Sequence, residues 1–157
     1  MKAKLYMETS VVSYLTARPA HEPVMAGHQQ STRDWWEQHR AKFEIFISRL
    51  VWQEASEGDS QAVKRRLKVL KPLRWLQVKK DAVALAKELV GEGPLPPNAA
   101  DDALHIALAA THGMHFLLTW NFTHINNAVT EEEVKAVCKG HGFHCPVICT
   151  PDELMQI

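Results

Sequence analysis

The stretch LYMETSVV, residues 5–12, changes its hydrophobic pattern at Glu8. The apolar run before Glu8 is as short as a buried β-strand, whereas the apolar residues after it return at helical spacing. Polar residues between two such patterns are typical of the start of a helix. The stretch therefore predicts a strand, a turn at Glu8 and a helix. The residues that restart the apolar pattern are Val11, Val12, Tyr14 and Leu15.

The same order of strand and helix recurs along the chain. Short apolar runs predict further strands over residues 43–48, 75–78, 116–119 and 147–149. Longer periodic segments predict helices over residues 51–57, 59–70, 81–90, 99–111 and 131–139. We also expect a loop over residues 18–30 that leads into a helix near Asp34, N-caps at Asp81 and Asn98, and a last helical turn from Pro151.

This alternation predicts one α/β domain over residues 1–157. Neighbouring parallel strands need crossover connections, and the helices in those connections cover both faces of the sheet. The expected fold is therefore a three-layer α/β/α sandwich with a central, mainly parallel sheet.

The composition is that of an ordinary globular domain, with 46% hydrophobic residues and 18 Lys and Arg against 18 Asp and Glu. A net charge of zero argues against a protein that holds a long nucleic acid by charge alone, although it leaves room for local basic patches. The sequence has no apolar run of the roughly 18 to 20 residues that span a bilayer, and no signal-peptide pattern. We therefore expect a cytoplasmic protein without membrane contact, whose three cysteines are reduced thiols.

Several acidic or amide residues fall where predicted strands end or helices begin. Glu8 follows the first strand, Glu54 lies early in the helix after the second strand, Asp101 and Asp102 start a helix, and Asn121 follows the fourth strand. In an open parallel sheet, sites lie outside the carboxyl ends of the strands. The alternative is that each acid only complements the dipole of a helix N-terminus. The occurrence of four such positions favours a common site.

A cluster of carboxylates needs a counter-charge. Two carboxylates about 4 Å apart repel each other by roughly 4 kcal/mol at an effective dielectric constant of about 20. Mg²⁺ and Mn²⁺ prefer carboxylate and carbonyl oxygens and retain part of their water shell. Because such an ion polarises a phosphoryl oxygen and activates water, the predicted chemistry is phosphodiester hydrolysis.

Four segments, in this order, resemble the PIN domain family. They are LYMETSV at residues 5–11, Glu54, DALHIA at residues 102–107 and LLTWN at residues 117–121. The similarity extends over almost the whole chain. It implies a PIN-like domain with metal-dependent ribonuclease activity, of the kind found in the toxins of VapC-type toxin–antitoxin pairs. The implied partners are RNA, an antitoxin protein and a second copy of the chain in a homodimer.

The resemblance also assigns site residues position by position. Glu8 would be the first acid, Glu54 the second and Asp102 the third, while Asn121 would take the fourth position around Mg²⁺ or Mn²⁺. Ser10 matches a small polar residue that helps to orient the site.

Two of these positions depart from the family pattern, because Glu8 stands where Asp is usual and Asn121 where Asp is common. The longer Glu side chain would either shift the metal or require the backbone to lie farther back, and the neutral amide would remove a charge. A weaker or single-metal site would follow, and the alternative function is a catalytically weak PIN-like module that binds RNA or protein. Asp101 is a weaker candidate than Asp102, since consecutive helix residues point about 100° apart.

Three further features each have two interpretations. His105 shares a helix face with Asp102, and it either orders a phosphate or water or is hydrogen-bonded within a buried helix. Residues 138–145 carry two Cys and two His, but their spacing matches no standard zinc pattern and also suits a helix end before a strand. The basic run at residues 64–71 is either a solvated helix face or a contact to the RNA backbone.

Overall fold

A five-stranded parallel sheet forms the centre of the computed structural model, which describes residues 1–155. The strand order is β3-β2-β1-β4-β5, so the first strand lies in the middle, and every pairing is parallel. This confirms the predicted sandwich with its central parallel sheet. The strands are β1 (Ala3–Met7), β2 (Phe43–Ser48), β3 (Arg74–Leu76), β4 (Phe116–Leu118) and β5 (Val147–Cys149).

Seven α-helices flank the sheet within the described part of the chain. In residues 1–155, none of them is long and apolar enough to cross a membrane. They are α1 (Thr9–Thr16), α2 (Pro23–Gln38), α3 (Arg49–Ala55), α4 (Ser60–Leu70), α5 (Lys80–Gly91), α6 (Ala100–Thr111) and α7 (Glu131–Gly140), with short 3₁₀ turns at Arg40–Lys42, Pro97–Ala99 and Pro151–Leu154.

The core lies on both faces of β1, whose last three residues are fully buried. Helix α6 is buried almost all round, because alanines occupy much of its surface and allow neighbouring helices and strands to approach closely. It packs most extensively against α5. A helix in this position can carry a polar side chain into the interior only if that side chain finds hydrogen-bond partners there.

Three local predictions are wrong. The predicted loop at residues 18–30 ends at Pro23, where α2 already begins, because Glu22 caps the helix by accepting hydrogen bonds from the backbone of Val24 and Met25. Asp81 is not the N-cap of α5, since the helix starts at Lys80. Asn98 is not the N-cap of α6 either, because it lies inside the 3₁₀ turn that precedes that helix.

The register of the sheet brings the carboxyl ends of three strands to one edge. Met7 pairs with Leu118, and Tyr6 pairs with Phe46 two residues before the end of β2. The backbone N–H of Glu8 continues this pairing by donating to the carbonyl of Leu118 at 3.0 Å. Residues that follow β1, β2 and β4 therefore meet at the centre of this edge.

Candidate metal centre

Glu8 is a buried carboxylate at the end of the central strand, with 6% of its surface exposed. Its extended backbone makes it the N-cap of α1, and its Oε2 accepts from the backbone N–H of Ser10 at 3.1 Å. Its Oε1 accepts from the hydroxyls of Ser10 at 2.5 Å and Thr119 at 2.6 Å. These donors hold the carboxylate still, and they leave lone-pair capacity on Oε2.

The Ser10 hydroxyl has two hydrogen-bond partners, and its predicted role in orienting the site stays a prediction. Besides its bond to Glu8, its Oγ accepts from the backbone N–H of Trp120 at 2.8 Å. The Ser10 hydroxyl therefore joins the start of α1 to the segment that follows β4.

Glu54 lies in the last turn of α3 and not early in that helix as predicted, because the helix begins at Arg49, directly after β2. Its Oε1 accepts from the Thr9 hydroxyl at 2.5 Å and from Nε2 of His105 at 2.7 Å. Both described bonds end on Oε1, so Oε2 is available to a cation. Burial raises the pKa of the Glu54 carboxyl, but the hydrogen bonds from His105 and Thr9 and the charge of His105 outweigh it and lower the pKa from its ordinary value.

His105 is fully buried on α6 and is bonded at both ring nitrogens. Nδ1 lies 2.7 Å from the hydroxyl of Tyr6, which in turn lies 2.7 Å from the hydroxyl of Ser48. Burial lowers the pKa of His105, but the bond to Glu54 and the charges of nearby carboxylates outweigh it and raise the pKa. The interpretation of His105 as a hydrogen-bonded residue within a buried helix is therefore confirmed, whereas a role in ordering a phosphate or water stays a prediction.

Glu8, Glu54 and His105 form the candidate metal centre. One ligand atom from each of the three side chains lies within 4.8 Å of the others. Within residues 1–155, no other three histidine, cysteine or acidic side chains meet this condition, and this includes those of residues 138–145. In that segment Cys138 and Cys145 are buried free thiols. For Nε2 of His105 to coordinate a cation, it must first release the proton that it shares with Glu54.

Asp102 does not join this group of three. It lies in the first turn of α6, where its Oδ2 is 2.8 Å from Nδ1 of His124, and both side chains are about one-fifth exposed. Its charge nevertheless acts on His105 and contributes to the raised pKa of that imidazole. Its neighbour Asp101 is exposed to solvent.

Asn121 lies beside the centre, but its side chain turns towards its own loop. Oδ1 accepts from the backbone N–H groups of Thr123 at 3.1 Å and His124 at 3.0 Å. The backbone N–H of Asn121 donates to Thr119, the residue that bonds Glu8. Asn121 therefore shapes the loop that carries His124, and its amide oxygen is already occupied.

Four residues of this network were not predicted as part of the site. Tyr6 supports His105 from within β1, while Thr9 and Thr119 donate to the two glutamates and His124 contacts Asp102. The two threonines did carry a signal, since hydroxyls that directly follow an acid or a strand at this edge can reach its carboxylates. Tyr6 and His124 carried none that is visible in the sequence pattern.

The carboxylates of the site have no lysine or arginine partner among the described ion pairs. Glu54 and Asp102 each contact a histidine, and Glu8 is held by hydroxyl and backbone donors alone. Buried charges are normally paired or bound to a metal. Two carboxylates and an imidazole thus form a group that could hold a divalent metal, provided that the imidazole first loses its proton.

Two residues of the basic run at residues 64–71 bind backbone carbonyls of the protein itself. Arg65 donates to the carbonyl of Thr16, and Arg66 donates to the carbonyls of Ala55 and Glu57, so both bind the backbone near helix ends. Both side chains also line a cavity of about 370 Å³.

No family model and no curated protein matches this sequence. The resemblance to PIN domains therefore rests on the segments quoted above, and membership of that family stays a prediction. The finding that stands on geometry alone is a possible metal-binding group of Glu8, Glu54 and His105 at the carboxyl edge of a parallel sheet.

Proposed function

We propose that the protein is an endoribonuclease that uses Mg²⁺ or Mn²⁺ to hydrolyse RNA phosphodiester bonds. The observation that carries the proposal is the buried carboxylate of Glu8 beside Glu54 and His105, where His105 pairs with Glu54 and Glu8 has only hydroxyl and backbone donors. The site also lies at the edge where parallel α/β sheets bind their ligands.

The roles of the residues follow from their contacts. Ser10 and Thr119 hold Oε1 of Glu8, and Thr9 holds Oε1 of Glu54, so that the second oxygen of each carboxylate is available to the ion. A bound Mg²⁺ or Mn²⁺ supplies a Lewis acid for the phosphoryl oxygen and activates water near neutral pH. This chemistry does not use the ribose 2′-hydroxyl, and we therefore expect products with 5′-phosphate ends.

A cleavage assay with matched variants tests this proposal. Single-stranded and hairpin RNAs are incubated with the protein and Mn²⁺, with and without excess EDTA, and the product ends are identified. We expect EDTA and Glu8→Gln to abolish cleavage, while Asp101→Asn, which removes an exposed acid of the same region, leaves it intact. Cleavage in EDTA, or 2′,3′-cyclic phosphate ends, would contradict the mechanism.

The resemblance extends the proposal to a biological role. We propose that the chain is the PIN-like toxin of a type II toxin–antitoxin pair, acting in the cytoplasm as a homodimer with an antitoxin protein as its partner. Co-expression with the product of a small neighbouring gene should suppress its toxicity and yield a complex. If no neighbouring product binds, a free-standing nuclease is the better interpretation.

One observation favours a second candidate, a catalytically weak module that binds RNA or protein. Asn121 brings no charge and its Oδ1 is occupied by backbone N–H groups, while Asp102 is paired with His124. Titrating Mn²⁺ while RNA binding and RNA cleavage are both measured separates the two candidates. The weak module would bind RNA without Mn²⁺-dependent cleavage.

A further inference from the structure

Phe122 is an apolar ring held out into solvent by a rigid turn beside the candidate metal centre. About half of its surface is exposed. Two sets of hydrogen bonds hold the turn. Oδ1 of Asn121 accepts from the backbone N–H groups of Thr123 and His124. The backbone carbonyl of Asn121 accepts from the backbone N–H of Asn126 at 2.8 Å. An exposed aromatic side chain on a fixed backbone is already positioned for a ligand, so little ordering is needed on binding.

The ring of Phe122 belongs to an aromatic cluster of four residues. His28 stacks on Trp120 with ring centroids 4.1 Å apart and planes 18° apart. Tyr14 lies beside this pair, 6.1 Å from His28 and 5.9 Å from Trp120. Phe122 lies 6.2 Å from both His28 and Trp120. Trp120 is buried and anchored, since its Nε1 donates to the hydroxyl of Thr32 at 2.8 Å. The cluster thus has a fixed base and a partly exposed outer ring.

Backbone and side-chain contacts tie this cluster to the acids. Thr119, three residues before Phe122, donates to Glu8. His124, two residues after Phe122, contacts Asp102. Phe122 therefore sits on the short segment that connects the two acidic parts of the site. We therefore expect an RNA strand whose phosphate lies at the carboxylates to place a base near this ring.

We propose that the aromatic cluster of Tyr14, His28, Trp120 and Phe122 is a stacking subsite for a nucleobase of the RNA, next to the bond that is cut. The inference rests on the proposed function, and it adds a binding determinant that is not a metal ligand. Base–aromatic stacking tolerates every base because each has a π-face, and aromatic platforms of this kind are common in proteins that bind single strands. The subsite therefore favours unpaired RNA without selecting one sequence.

A helix of a protein partner is the competing occupant of this surface. Val24 and Met25 are exposed on α2, one turn before His28, and would enlarge an apolar contact with such a helix. We favour the nucleobase because the turn presents a flat ring beside the candidate metal centre and because the rings behind it are stacked. The two occupants differ in one testable requirement: stacking needs an aromatic ring, whereas an apolar contact accepts a branched aliphatic side chain.

The test measures RNA affinity in EDTA, where the proposed reaction does not run. The probe is a short single-stranded RNA with one 2-aminopurine, followed by anisotropy and by quenching of the 2-aminopurine fluorescence. We expect Phe122→Leu to weaken binding about tenfold and to relieve the quenching, while Phe122→Tyr stays close to the parent. Trp75→Leu is the control, because Trp75 is a similarly exposed ring on β3, away from the loop that follows β4.

An RNA with an abasic position in place of the 2-aminopurine should bind the parent and Phe122→Leu equally. If Phe122→Leu binds the intact RNA as tightly as the parent, the stacking subsite does not exist. If, in addition, Phe122→Asp releases a co-purified protein partner that Phe122→Leu retains, the surface is a protein contact instead. A parent that cuts RNA with Mn²⁺ while Phe122→Leu binds normally would overturn this inference and leave the proposed function standing. A parent that neither binds nor cuts RNA would overturn both.

Discussion

The site contains two histidine–carboxylate pairs of almost equal length in different surroundings. His105 and Glu54 approach to 2.7 Å, and the histidine is fully buried. His124 and Asp102 approach to 2.8 Å, and both side chains are partly exposed. The first pair joins two helices across the carboxyl edge of the sheet, whereas the second joins a helix to a loop.

This difference in burial predicts different roles: the His105 pair supports the fold, whereas the His124 pair can change its contacts. If the His105 pair were broken, polar atoms in the core would be left without hydrogen-bond partners. The pair therefore contributes to the stability of the fold. The His124–Asp102 pair has no fully buried member, so its polar atoms can exchange their partner for water at a lower cost. Asp102 is thus the acid that can turn towards a cation without disturbing the core, while Glu54 already has a free oxygen in place.

The largest expected effect is on stability. His105→Ala leaves a cavity in α6 and removes a partner from both Tyr6 and Glu54, and we expect it to lower the free energy of unfolding by about 3 kcal/mol. His124→Ala should cost less than about 1 kcal/mol, because its pair is partly exposed. Urea denaturation of both variants in EDTA measures the difference. Equal losses would show that burial does not distinguish the two pairs.

The next effect concerns the metal. We expect Glu54→Gln to weaken Mn²⁺ binding about a hundredfold, since it removes a charged ligand whose free oxygen faces the site. Asp102→Asn should weaken it about tenfold, which corresponds to about 1.4 kcal/mol. Calorimetry measures both affinities.

Asp101→Asn provides the matched control, because it removes the adjacent exposed acid on the same helix turn. It should leave Mn²⁺ binding unchanged. An Asp102→Asn protein that binds Mn²⁺ as tightly as the parent would remove Asp102 from the assignment, and the site would then consist of Glu8, Glu54 and His105 alone.

The sequence predicted the edge of the sheet better than the contacts at that edge. The apolar run before Glu8 and the rule for parallel sheets were sufficient to place Glu8 and Glu54 near each other. The bond between Glu54 and His105 was not predictable, because it depends on how α6 is rotated against the sheet. The direction of the Asn121 side chain could not be predicted from the sequence either, because nearby backbone N–H groups compete for its oxygen.

Helix α2 illustrates a different limit. The pair Glu22-Pro23 is a start signal, yet the first turns of the helix carry no apolar period. Its inner face is partly polar, with Gln29 and Thr32 buried through hydrogen bonds to Arg18 and Trp120. Hydrophobic periodicity cannot detect a face that is buried in this way.

A smaller effect is expected from pH. The pKa of His105 is raised in the folded protein, so its stabilising contribution is complete below its unfolded pKa near 6.5 and is lost as the pH rises through the raised value. The pKa of Glu54 is lowered, so its contribution is complete above its unfolded pKa near 4.5 and is lost as the pH falls through the lowered value. The pair therefore stabilises the metal-free protein most between these two unfolded values.

We accordingly expect Glu54→Gln to cost more stability at about pH 6 than at about pH 8.5, measured by urea denaturation in EDTA. Glu44→Gln breaks the exposed ion pair with Arg74 and serves as the control. Its cost should be small and similar at both pH values, because neither a carboxylate nor a guanidinium titrates between them. A cost for Glu54→Gln that does not change with pH would contradict the charged state assigned to His105.

The smallest effect is expected at Asn121, where the PIN domains that the sequence resembles often carry Asp. Asn121→Asp keeps an oxygen for the N–H groups of Thr123 and His124 and adds a negative charge near the acids, so we expect it to tighten Mn²⁺ binding only about threefold, or about 0.7 kcal/mol. Asn121→Ala removes the hydrogen bonds that hold the turn and should lower the free energy of unfolding by about 1 kcal/mol.

The comparison uses calorimetry and thermal unfolding, together with cleavage of one RNA at limiting and saturating Mn²⁺ by the parent and both variants. If all three proteins share the same metal dependence while only Asn121→Ala is destabilised, Asn121 acts solely through the turn and lies outside the coordination sphere. A large gain in affinity for Asn121→Asp would instead mean that the new carboxylate leaves the turn and reaches the ion.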